Sequence, residues 1–142
     1  MTFSDTFVLE KLAEVGKYQE ELGRLLEFSD QDILSDSGRM HIAERLLQLL
    51  VDTMLDINQH FIKELNLEVA EDFQSTFYIL GRQGILEINF AQRIAPVVGL
   101  RNRVVHRYET LDKKLFLQAL RQNCKDFDVY AELIKQHLEK LK

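Results

Sequence analysis

With 142 residues, 46% of them hydrophobic and 29% charged, the chain has the composition of a soluble globular domain, which excludes a disordered or membrane-embedded polymer. A formal net charge of −5 excludes general coating of nucleic acid or anionic lipid, so any phosphate-binding function has to be local. Acids at Asp5 and Glu10 stand where a signal peptide needs a basic start and an apolar run, and no run approaches the roughly 18 residues that cross a bilayer, so a cytoplasmic protein without a membrane partner is expected.

A single proline, six glycines and long stretches of Leu, Glu, Lys, Gln and Arg predict helices throughout and no strand. The first helix is expected after a cap at Ser4 or Asp5, with Val8, Leu12, Val15, Leu22 and Leu26 at helical spacing up to Phe28. Ser29, Asp30 and Asp32 mark a break and a new start. After Asp36-Ser37-Gly38 a long helix to about Leu65 carries Ile42, Leu46, Leu49, Leu50, Thr53, Ile57 and Phe61 on one stripe. Leu47, Val51, Met54 and Leu55 widen its apolar surface, which predicts a central helix or one covered by a second subunit.

A third helix is expected from about Glu71 to Arg82, ending near Gly84, and another starting near Glu87. Pro96 lacks an N–H and restricts Ala95, which predicts a break and a restart with Pro96 in the first turn. The last helix, about Leu111 to Leu141, steps through Phe116, Ala119, Asn123, Phe127, Tyr130, Ile134, Leu138 and Leu141. Four main helices with short connections predict an antiparallel bundle, and no linker or repeat divides residues 1–142, so one domain is expected. The lone cysteine, Cys124, excludes an intramolecular disulfide and is expected to be a small packing residue.

The chemistry concentrates in GLRNRVVHRYE, residues 99–109. No acid lies between Ile88 and Tyr108, whereas Arg93, Arg101, Arg103 and Arg107 do, which makes a positive island of about +4 with Arg82 just before it. A histidine with the ordinary pKa of about 6.5 exchanges protons near neutrality, and a guanidinium can hold nonbridging phosphate oxygens as charge develops, which suits cleavage of a phosphodiester. RNA supplies its own 2′-hydroxyl nucleophile, so no metal and no cofactor is required. On one unbroken helix Arg101 and His106 point about 140° apart, which predicts an unwound last turn or a cleft completed by a second copy of the chain. Asn102, one turn before His106, is placed to orient its ring or to bind phosphate.

Arg101-Asn102-Arg103-Val104-Val105-His106-Arg107-Tyr108 resembles the R-x4-H-x-Y motif of the HepT-like toxins, a branch of the HEPN superfamily, and residues 43–64 are similar to that family's long second helix. The resemblance spans essentially the whole chain. It implies an all-α, four-helix-bundle-like HEPN domain with short extra helices, homodimeric, acting as a metal-independent endoribonuclease toxin with Arg101 and His106 as catalytic residues. It also implies an MNT-type nucleotidyltransferase partner that serves as antitoxin and attaches AMP to Tyr108. Arg103 and Arg107 are then expected to contact RNA or the partner rather than to break bonds.

Asp52, Asp56 and His60 recur every four residues on one helix face, but three ligands on successive turns span too far to surround one ion. A better functional reading puts Asp52 or Asp56 against the motif's arginines, fixing their orientation. His41 and His137, and Tyr18, Tyr78 and Tyr130 with hydroxyls at the edge, are expected to be structural. From a different functional class, a noncatalytic module that docks on a nucleotidyltransferase and presents substrate to it would share this fold, but it would have no need of both Arg101 and His106.

Overall fold

Capping side chains punctuate the chain, and the helices follow from them. The computed structural model describes residues 4–142, with the side chain of Tyr108 outside the description. The helices are α1 (Thr6–Leu25), α2 (Asp30–Leu34), α3 (Ser37–Glu64), α4 (Phe73–Arg82), α5 (Ile88–Ile94), α6 (Val97–His106) and α7 (Lys113–Lys140), with a 3-10 turn at Tyr108–Thr110. Among the described residues there is no strand.

The side chain of Ser29 accepts from the Asp32 N–H, that of Asp36 from Arg39, that of Asp72 from Ser75 and that of Asp112 from Leu115. Each satisfies an orphan donor of a first turn, a contribution of about 1 kcal/mol. Asp5 occupies the cap position of α1 but makes no side-chain cap bond. Asn66 (φ 55°) and Gly84 (φ 75°) adopt the left-handed conformation just beyond α3 and α4, and the N–H groups of Leu67 and Ile85 close those helix ends on Ile62 and Leu80.

The four-helix-bundle-like arrangement with short extra helices is present. α1, α3 and α7 are the long helices, and the remaining side of the bundle is built from the shorter α4, α5 and α6, because Gly84 ends one segment and Pro96 interrupts the next. The interruption is milder than a break. Ala95 (φ −51°, ψ −39°) and Pro96 (φ −62°, ψ −13°) keep helical angles, and the turn tightens so that Val98 and Gly99 donate to Ala95 and Pro96 three residues back.

α3 is central, packing on α1, α2, α4 and α6. Leu47, Leu50, Val51, Met54, Ile57 and Phe61 along it are fully buried, whereas Ile42, expected on the buried stripe, is half exposed because the inward face starts at Met40 and Ala43. Gly81 permits the close approach of α4 to α5: a Cβ there would lie 2.8 Å from that of Ala91. Cys124 packs against the core, and its Sγ donates to the Arg121 carbonyl at 3.1 Å. Arg121 itself gathers the carbonyls of Leu26 and Phe28 and the carboxylate of Asp30, tying α7 to the end of α1 and the start of α2. No described helix is long and apolar enough to cross a membrane.

Two polar groups inside the bundle differ from the sequence-based expectation. Tyr130 does not keep its hydroxyl at an edge: the residue is fully buried, and the hydroxyl lies 2.6 Å from Asn58 Oδ1 and 3.1 Å from the Met54 carbonyl. Asn58 in turn donates to Thr76 Oγ1 at 3.1 Å, so one buried network joins α3, α4 and α7. Glu44 is only 5% exposed, and its Oε1 has no hydrogen-bond partner among the described residues. Burial raises its pKa above 4.5, although Lys113 and His41 pull the other way.

These two groups give stability predictions. Tyr130→Phe strands the buried Asn58 Oδ1 and should cost about 1–3 kcal/mol in urea unfolding, and an unchanged midpoint would contradict the network. A carboxyl with a raised folded pKa stabilises the fold below its unfolded value, and that contribution is lost as pH rises through the folded value. Glu44→Gln should therefore be more stable than the parent near neutral pH, and its advantage should shrink as pH falls to about 4, where model carboxyls protonate. A gap that widens on acidification would contradict the assignment.

Candidate active site

α6 carries the motif, and α3 holds its first residue in place. The Arg101 Nε donates to Asp52 Oδ1 at 2.8 Å across the α3–α6 contact. The Arg101 side chain is only 19% exposed and that of Asp52 39%, so the pair is partly shielded from solvent. A pair of this exposure adds little net stability, and its main effect is to fix the guanidinium plane. Arg101 Nη1 also donates to Asn102 Oδ1 at 3.4 Å. These two bonds leave three of the five guanidinium N–H donors uncommitted among the described residues.

Arg101, Asn102, Arg103, His106 and Arg107 line one open cleft of about 560 Å³ together with Gly99 and Phe73. α6 is helical through His106, yet its arginine and histidine border the same concavity within one chain. No hydrogen bond joins the two side chains among the described residues. Asn102 is held by Arg101 rather than by His106. His106 is exposed at the end of α6.

Contacts elsewhere divide the positive island. Arg82 pairs with Glu68 at 2.6 Å, and Arg93 with Asp126 at 3.2 Å. Arg103 and Arg107 have no acidic partner among the described residues and both face the cleft. The Arg103 guanidinium lies back along α6, 3.9 Å from where a Cβ on Gly99 would stand. Two positive charges therefore remain unneutralised beside Arg101.

Of the two carboxylates that the spacing offered to the arginines as alternatives, Asp52 is the one that meets Arg101. One turn farther along α3, Asp56 faces α1 and pairs with Lys11 at 3.3 Å. His60, a further turn on, stacks on Phe7 with ring centroids 4.6 Å apart and reaches the Ser4 carbonyl at 3.5 Å. The three residues thus serve different neighbours, and no three His, Cys, Asp or Glu side chains among the described residues are grouped to hold a metal ion. His137 stands edge-on to Phe61, and burial lowers its pKa. Tyr108 opens the 3-10 turn directly after the cleft residues, and its side chain lies outside the description.

Phe73, the first residue of α4, escaped the sequence reading. It is far from the motif along the chain, and only the α4–α6 contact brings it to the cleft. An exposed aromatic at a helix start is the one local signal it offers.

Comparison with known proteins agrees with this architecture. The family model described as ribonuclease HepT-like matches residues 15–134. A tRNA nuclease HepT of Aphanizomenon flos-aquae is 32% identical over 97% of this chain and 95% of its own length. An mRNA nuclease HepT of Shewanella oneidensis is 22% identical over 90% and 96%. Among solved structures, the tri-AMPylated Shewanella oneidensis HEPN toxin in complex with MNT antitoxin superimposes with a TM-score of 0.85 at 18% identity, covering 94% of this chain and 99% of the toxin. With the family model spanning most of the helical bundle and a relative matching nearly end to end, the chain belongs to the HepT-like ribonuclease family.

Proposed function

We propose that this chain is a metal-independent endoribonuclease, the toxin of a toxin–antitoxin pair, with Arg101 and His106 as its catalytic residues. The observation that carries the reading is the Asp52-anchored Arg101 guanidinium in a cleft also lined by His106, Asn102, Arg103 and Arg107. In this mechanism the substrate's 2′-hydroxyl attacks the adjacent phosphorus. The 2′-O–P bond forms, the P–O5′ bond breaks, and the products are a 2′,3′-cyclic phosphate and a 5′-hydroxyl. His106 takes the proton from the nucleophile or delivers one to the departing O5′. Arg101 meets the charge that builds on the nonbridging oxygens with N–H donors already oriented by Asp52. Arg103 and Arg107 hold flanking phosphates, and a homodimer would set two such groups about one strand.

Silencing follows from charge. A nucleotidyltransferase of the MNT type would catalyse attack of the Tyr108 hydroxyl on the α-phosphorus of ATP, leaving AMP on the tyrosine and releasing pyrophosphate. Each adenylate adds negative charge immediately after Arg107 and competes with RNA for the unpaired guanidiniums. The AMPylated state of the Shewanella oneidensis toxin supports this reading.

Expression of the chain alone should arrest growth and degrade RNA, whereas Arg101→Ala and His106→Ala, folded as the parent, should lose about a hundredfold or more of cleavage rate. Harmless expression of all three, with no cleavage by the purified chain, would favour the docking module instead. Asp52→Asn frees the Arg101 plane and should lower the rate about tenfold to a hundredfold while the melting midpoint barely moves. Incubation with the cognate nucleotidyltransferase and ATP should add adenylate mass to the Tyr108 peptide, and Tyr108→Phe should abolish it.

A further inference from the structure

Three phenylalanines among the described residues keep large exposed surfaces, and two of them are occupied. Phe7, 37% exposed, stacks on His60, and Phe28, 40% exposed, lies under the Arg39 guanidinium at 3.9 Å. Phe73, at 50%, has neither a ring nor a cation against it among the described residues. Its place is nevertheless built. Asp72 and Ser75 form a reciprocal capping box around it, and its carbonyl accepts from Thr76 Oγ1 at 2.6 Å. Thr76 is in turn anchored on the buried Asn58. The backbone that carries this apolar ring is thus held at the wall of a cleft that is otherwise lined by Gly99, arginines, an asparagine and a histidine.

Building on the nuclease reading, we infer that Phe73 is the stacking platform for an unpaired nucleobase of the strand whose phosphate Arg101 holds. A flat aromatic face beside unneutralised guanidiniums is the arrangement that binds single-stranded nucleic acid: cations track the backbone while the ring takes the base. A base in a duplex already has both faces covered, so the platform selects loops, bulges and ends over helical RNA. Stacking tolerates any base, because every base offers a π-face, so Phe73 contributes affinity for unpaired strands without dictating their sequence. Gly99 lines the same cleft without adding a side chain to it.

The chain contains no tryptophan, so Phe73→Trp places a single indole at the platform. The probe is a 2′-O-methyl RNA of about ten nucleotides, a site size typical of single-strand binders, which cannot be cleaved because its nucleophile is blocked. It should quench the indole, whereas an abasic strand of the same length and charge, or the same RNA annealed to its complement, should not. With cleavable unpaired RNA, Phe73→Ala should raise KM about tenfold to a hundredfold with kcat nearly unchanged, and Phe73→Tyr or Phe73→Trp should restore it. Equal quenching by the abasic strand, no quenching by any strand, or blue-shifted emission that no strand alters, as under a second subunit, would each overturn the assignment. Quenching does not require cleavage: an inactive chain that still discriminates bases would sink the nuclease reading and spare the platform, and an active chain that does not would do the reverse.

Discussion

The site depends on one contact, the 2.8 Å bond from Arg101 to Asp52. An unpaired arginine on a surface helix samples many rotamers, and holding it in one costs up to about 2 kcal/mol of side-chain entropy. Asp52 meets that cost in the folded state, because it projects from α3, whose position is set by the apolar core on several sides. The carboxylate also takes the inner edge of the guanidinium and leaves the outer donors to the cleft. Neutralising part of the charge is the accompanying sacrifice, and Arg103 and Arg107 compensate with charges that no acid answers among the described residues.

Rigidity is graded from the core outward. The Tyr130–Asn58–Thr76 network sits in full burial and fixes how α7, α3 and α4 meet, and the start of α4 inherits that order through the Thr76 bond to the Phe73 carbonyl. α6 packs on α3 with Leu100 and Val104 buried, and Arg101 bonds to Asp52 at the boundary. His106 and Arg107 lie beyond this boundary, exposed where the helix gives way to the 3-10 turn. His106 thus stands exposed while Arg101 is held by Asp52, a division that suits the proposed proton carrier and charge clamp.

Much of this was legible along the chain because it rests on local chemistry. Ser29 and Asp36 announced helix starts, and the Arg101–His106 block carried the resemblance to the family. Asp52 was legible as a partner for the motif only in company with Asp56, since spacing of four places both on one face and cannot say where that face passes from α6 to α1. Ala95 was expected to leave the helical region before Pro96, but the buried Ile94, Ala95, Val97 and Val98 hold α5 and α6 in nearly continuous helix against that local preference. Phe73 and the buried Tyr130 hydroxyl were out of reach, since each gains its meaning from a helix distant in sequence.

The central claim, that this cleft cuts RNA through the substrate's own 2′-hydroxyl, is tested most directly by the ends it leaves. Purified chain, incubated in EDTA with tRNA or with mRNA, should produce fragments ending in 2′,3′-cyclic phosphate and beginning with 5′-hydroxyl, as read by mass spectrometry. Fragments with 5′-phosphate ends that appear only when a divalent metal is restored would contradict the account.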